Sequence, residues 1–129
     1  MPIVRVEDSI ERVLIDQAAI VEIIYTGLKK IMGVSDEELQ SRYHCHSHAT
    51  MRTPGDRATY LQITITLFRG RTLDTKRNLY AELVEQLSQS MGIEPNSVLI
   101  LLDEHDAHNW GMRGGIPASE IDFGYSNTV

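Results

Sequence analysis

Three groups of residues in this 129-residue chain are of types that could do chemistry. The first is Pro2, directly behind Met1 at the head of "PIVRVE". A proline there can simply start a strand, since it brings no N–H to the ladder. Freed of Met1, the same residue carries a secondary amine, the only main-chain nitrogen able to act as base or nucleophile. An unmodified α-amino group titrates near pH ~8. Burial in an apolar pocket and nearby cations both disfavour its protonated form and bring that value toward neutrality. A base poised there suits proton shuttling. With Met1 retained, the nitrogen is a tertiary amide and the chemistry is gone.

The second group is Arg69 and Arg71, flanking Gly70 at the end of the strongest strand-like run. Two guanidinia two residues apart on an extended chain point the same way, and Gly70 lets the backbone bend near a ligand. Their planar forks suit the carboxylate of a small acid. The plainer alternative is a pair of solvated charges ahead of a helix. The third group is "HCHSH", with His44, His46 and His48 alternating along one face. Imidazoles so spaced can share a metal. No carboxylate or cysteine completes a recognisable ligand spacing, however, and Cys45 faces the other way, so no metal is expected. The histidines are expected to line a subunit interface or the pocket edge, with His46 in reach of substrate. Cys45 has no activating partner beyond them.

The elements that must position these residues are legible in the spacing. "PIVRVE" alternates apolar and polar residues and predicts a short strand. Asp8 and Glu11 stand at capping-box spacing. From Ile10, apolar residues recur through Val13, Leu14, Ala18, Val21, Ile24 and Leu28 to Met32, which predicts a long helix stopped by Gly33. Ser35 and Glu38 repeat the capping-box spacing over one further turn, and "SRYHCHSHATM" alternates as an extended segment. "TYLQITITLF" is the clearest strand, with β-branched residues from Ile63 to Thr66. A helix from about Thr72 stops at Gly92. "SVLILLDEH" is apolar enough to be a strand buried on both faces. The tail from Asp106 is glycine-rich and reads as irregular.

The two helices end alike, in Met32-Gly33-Val34 and Met91-Gly92-Ile93, 59 residues apart, and the same shift lays Pro2 on Leu61. The chain therefore reads as a single domain over 1–129, with an internal pseudo-repeat of about 2–50 and 59–105. The expected fold is α+β: two β-α-β units forming a four-stranded sheet with both helices on one face. The other sheet face is left for burial against further subunits.

Composition narrows the function. The net charge is −6 with both signs interspersed, which argues against a nucleic-acid partner. One cysteine excludes an internal disulfide and fits a reducing, cytoplasmic setting. No apolar run predicts a membrane span or a signal peptide.

Pro2 after Met1, the duplicated β-α-β plan, "RGRTLDTKR" and the late "NWGMRGG" together resemble the tautomerase superfamily, and within it the malonate semialdehyde decarboxylase group. The resemblance covers nearly the whole chain. It implies removal of Met1, a catalytic Pro2 amine, Arg69 and Arg71 on the substrate carboxylate, Trp110 as a pocket wall, no cofactor and a homotrimer. Met112 stands where relatives carry an aromatic residue. The decarboxylases carry an aspartate before an Arg-Tyr pair; aligned on Arg42-Tyr43, this chain has Ser41 there, and Asp36, Glu37 and Glu38 in a longer loop are the available substitutes. The implied activity is keto–enol tautomerisation of an oxo-carboxylic acid. The alternatives are decarboxylation or hydration of a three-carbon oxo acid with protonated Pro2, or a non-catalytic homologue that binds a small acid or a metal.

Overall fold

The alternation in the N-terminal segment becomes strand β1 (Ile3–Asp8), whose Val4, Val6 and Asp8 turn inward while Arg5 faces solvent. The computed structural model describes residues 2–124 and 126. The Met1–Pro2 bond, on which the amine depends, lies outside the described residues. Helix α1 (Leu14–Met32) starts later than the spacing predicts. The reason is competition for one side chain: the Asp8 carboxylate accepts from the Ile10 N–H at 3.2 Å and is engaged by Arg12 and Tyr43, so no capping box forms. Val13 and Leu14, read as part of the apolar stripe, are left 63% and 79% exposed.

After α1 a 3-10 turn, Asp36–Glu38, leads into β2 (Gln40–Cys45); Ser35 makes no side-chain cap there. The second unit repeats the order with β3 (Leu61–Phe68), α2 (Leu73–Met91), a 3-10 turn at Pro95–Ser97 and β4 (Val98–His105). Thr72 caps α2 by accepting the Thr75 N–H at 3.2 Å, and Gly33 and Gly92 end the two helices in the same left-handed conformation. The tail is less irregular than its composition suggests. It folds into a hairpin of β5 (Gly111–Met112) and β6 (Ile116–Pro117) bracketed by 3-10 turns.

The four-stranded sheet has the order β2-β1-β3-β4, parallel within each unit and antiparallel where β1 meets β3. Both helices cover one face, where Val4, Val6, Ile20, Ile24, Leu28, Ile63, Ile65, Leu79, Leu83 and Leu87 are at most 1% exposed. Each such side chain contributes roughly 1.5–3 kcal/mol by leaving water, which fixes the register that the site depends on. The opposite face is open. Leu99 and Leu101 lie on it, 44% and 50% exposed, so β4 is not buried on both faces as its composition suggested. No described helix is long and apolar enough to cross a membrane.

Candidate active site

Because β1 and β3 run antiparallel with Ile3 opposite Thr66, the buried Pro2 comes to lie where the chain leaves β3 through Phe68. The Pro2 carbonyl accepts the Gln40 N–H at 3.4 Å, tying it also to the start of β2 and the turn that carries Glu38. Three chain segments thus meet at this end of the sheet.

The two arginines beyond Phe68 are divided. The strand conformation stops at Phe68, and Gly70 has φ 133°, a value that favours glycine, so the chain bends between them. Arg71 turns inward and is 8% exposed. Arg69 stays at the rim, its side chain 65% exposed, with Nε donating to Asp106 Oδ1 at 2.9 Å and its backbone N–H to His105 O at 2.9 Å. The pair expected from the spacing is therefore unequal in burial, one guanidinium buried and one at the rim.

The tail closes over this end. Trp110 meets Phe68 edge to face at 5.1 Å between centroids and lies 6.4 Å from His105. Its indole Nε1 is buried with no hydrogen-bond partner among the described residues. Phe123 packs on the same Phe68 at 5.4 Å. Arg113 places its guanidinium 5.3 Å over the Phe123 ring and donates from Nη2 to Glu38 Oε1 at 2.9 Å. Arg113 takes φ 48°, a conformation that costs a non-glycine residue about 1–3 kcal/mol; its ion pair and ring contact offset that cost. Glu38 is buried while the Arg113 side chain is half exposed, so the pair lies at the boundary between the interior and solvent. Met112 is held in the hairpin opposite Ile116, two residues from Trp110. A cavity of about 360 Å³ lies between Phe68 and the tail, lined also by Ala107, Ala118, Ile121 and Phe123.

His46 is elsewhere. Its N–H donates to Asp8 O at 2.8 Å and its ring Nε2 lies 3.0 Å from Glu7 Oε1, at the far end of β1. Six strand residues separate that end from Pro2, roughly 20 Å at the usual rise. His46 lines a different cavity of about 490 Å³ on the open sheet face, with Arg5, Glu7, Arg42 and His44. The alternation that grouped the histidines set them on one face, but β2 starts beside Pro2 and runs parallel to β1, so it carries them away from the amine. Among the described residues no group of three or more His, Cys, Asp or Glu could hold a metal ion.

Ser41 pairs with Val4 on the helix-covered side of the sheet, and the buried carboxylate nearest it in sequence is Glu38. Also at the far end, Tyr43 donates its hydroxyl to Asp8. Burial first, then that hydrogen bond and the Asp8 charge, push the Tyr43 phenol well above its ordinary value.

Sequence reasoning missed Phe68, Arg113 and Phe123 and left Glu38 unplaced. Only Phe68 carried a local signal, its position against Arg69. The others reach the site through tail packing that no short spacing encodes.

Residues 39–113 match the family model described as tautomerase enzyme. Among solved structures, the chain is similar to Pt0534 inactivated by 2-oxo-3-pentynoate, with 19% identity, 91% of this chain and 96% of that chain covered, and a TM-score of 0.83. It is similar to a malonate semialdehyde decarboxylase, solved in wild-type, mutant and inactivated forms and described with decarboxylase and hydratase activities. There the identity is 18%, the coverage 87% of this chain and 92% of that chain, and the TM-score 0.78. A fused 4-OT, described as a wild-type symmetric trimer, aligns at 17% identity over 91% of this chain and 96% of that chain, with a TM-score of 0.81. At these identities the structural likeness establishes the fold.

Proposed function

Since this chain belongs to the tautomerase family, we propose that it is a small enzyme for keto–enol tautomerisation of an oxo-carboxylic acid, with Pro2 as general base after removal of Met1. The observation that carries the reading is one arrangement: a buried Pro2 at the sheet end where β3 finishes in Phe68, with the buried Arg71 three residues beyond and Trp110 packed on Phe68. The neutral amine takes a proton from the carbon beside the oxo group. The C–H electron pair becomes the C=C bond, and the carbonyl oxygen takes up the negative charge. The proton is then returned to that oxygen, so the net reaction moves one proton.

Arg71 holds the substrate carboxylate and stabilises the enolate charge. Arg69, engaged by Asp106, closes the rim, and Met112 adjoins the wall. Apolar burial and the nearby cations keep the amine neutral at working pH. The chain acts without a cofactor, as a homotrimer, in line with the symmetric trimer of the similar fused 4-OT. The cytoplasm is the compartment that its single cysteine suits.

A second reading is favoured by Glu38. A buried carboxylate at the amine end, held by Arg113, supports the cationic form of Pro2. Protonated Pro2 is the acid that decarboxylation or hydration of a three-carbon oxo acid requires. One experiment separates the readings. Intact mass establishes whether Met1 is absent, and phenylpyruvate tautomerisation is then followed against pH in the native protein and in Pro2→Ala. Base catalysis gives a rate that rises with pH to a plateau and is lost in the variant; acid catalysis gives one that falls. Retained Met1, or equal activity in both proteins, removes the amine mechanism; no activity in either leaves a non-catalytic small-acid-binding homologue.

A further inference from the structure

The two β-α-β units are related by a twofold axis that the strand register locates. Arg5 pairs with Thr64, which is its own mate under the shift that relates Gly33 to Gly92. The axis passes between them and exchanges the two ends of the sheet. Whatever the first unit builds at the Pro2 end has a counterpart at the other end, and the same shift names its parts. Pro2 corresponds to Leu61, the buried Arg71 to Arg12, and the buried Glu38 to the buried Ser97.

That counterpart is a cavity of about 450 Å³ at the end of the sheet away from the tail. Arg12, Arg57, Ser97, Thr59, Gly92 and Glu94 are among its lining residues. Arg12 is only 12% exposed. Its Nε is occupied by Asp8, but its Nη2 is buried with no hydrogen-bond partner among the described residues. A guanidinium donor left so costs free energy until an acceptor arrives. Arg57 adds a second cation, its Nη1 donating to Ser97 Oγ at 3.2 Å and lying 3.7 Å from the largely exposed Glu94. The asymmetry between the ends is chemical. Leu61 sits inside a continuous chain and offers no amine, so this end retains a guanidinium without a base.

We infer that the cavity around Arg12 and Arg57 is a second, non-catalytic binding site for a small carboxylate. The carboxylate class, rather than anions in general, follows from the correspondence of Arg12 to Arg71 and rests on the proposed reading of Arg71. The presence of the site does not. Two cations line the cavity; of the carboxylates beside them, Asp8 is committed to Arg12 and Tyr43, and Glu94, which lines the cavity, has a side chain 80% exposed that meets only Arg57 among the described residues, at 3.7 Å.

The test is an amide NMR titration of the full-length protein with sodium malonate at fixed ionic strength. Saturable shifts are expected at Ala58, Gly92 and Ile93, beside Arg57 and the cavity. In Arg57→Ala the affinity read at Gly92 and Ile93 falls about tenfold, the worth of one charge-assisted hydrogen bond, while shifts at Phe68 and Trp110 titrate as before. Arg12→Lys, which keeps the charge and loses the fork, weakens the same response. No saturable shift at these amides, or an unchanged affinity in Arg57→Ala, overturns the site. Inorganic phosphate that saturates them at lower concentration than malonate overturns the carboxylate assignment. Failure of the amine-end reading shows at different amides, as Phe68 and Trp110 that do not respond while Gly92 does.

Discussion

The division between the two arginines makes a sharp prediction for their alanine variants. Arg71 is 8% exposed, so a carboxylate held by its fork is screened little by water. Charge-assisted hydrogen bonds contribute about 1.5–3 kcal/mol each, and a bidentate contact makes two. Taking the lower end for both gives a loss near 3 kcal/mol, or about two orders of magnitude in kcat/KM. Arg69 is different. Its side chain is 65% exposed and already engaged by Asp106, and exposed pairs are worth about 0–1 kcal/mol, so Arg69→Ala should cost no more than about fivefold. Arg71→Lys keeps the charge but not the planar fork and falls between the two. The assay is phenylpyruvate tautomerisation followed by absorbance, with circular dichroism to show that each variant is folded. Equal losses at both positions, or a larger loss at Arg69, would refute the assignment of the carboxylate to the inward-turned guanidinium.

Two further outcomes concern the scaffold. Tyr43 has its phenol held neutral by burial and by Asp8. The unfolded phenol ionises near pH ~10, so the stability this supplies is complete below that pH and is lost as pH rises beyond it. The melting temperature should drop between about pH 10 and 11, and drop less steeply in Tyr43→Phe; parallel curves would remove Tyr43 as the cause. At Gly27, where α1 crosses α2, an added Cβ would meet Leu83 Cδ2 at 2.5 Å, and Leu83 is fully buried. Alanine gains roughly 1 kcal/mol of helix propensity but overpacks by about 1–3 kcal/mol. Gly27→Ala should therefore lower the urea midpoint at unchanged slope, whereas a raised midpoint would mean that Leu83 gives way freely.

What the sequence made legible, and what it hid, follows from the range of the interactions. Gly33 and Gly92 end their helices and Thr72 starts one because caps act within a few residues, and a few residues are what a spacing records. Asp8 and Glu11 had the same local signature, yet no capping box formed, because Tyr43 and Arg12 compete for the Asp8 carboxylate and Tyr43 comes from another strand. The same competition decides the site. Arg69 and Arg71 look equivalent in one dimension, and they separate only because Asp106, after β4, engages one of them while the bend at Gly70 turns the other inward. His46 was grouped with the site by alternation, which assigns a face of the sheet but not an end; the end is set by the parallel pairing of β2 with β1. The repeat carries information that neither unit holds alone. It shows that the guanidinium of the proposed amine site has a counterpart at the other end of the sheet, whereas the amine itself can occur only once, at a chain terminus. A duplicated fold whose proposed catalytic group is a terminus leaves its second site without that amine, which is why binding is the function inferred there.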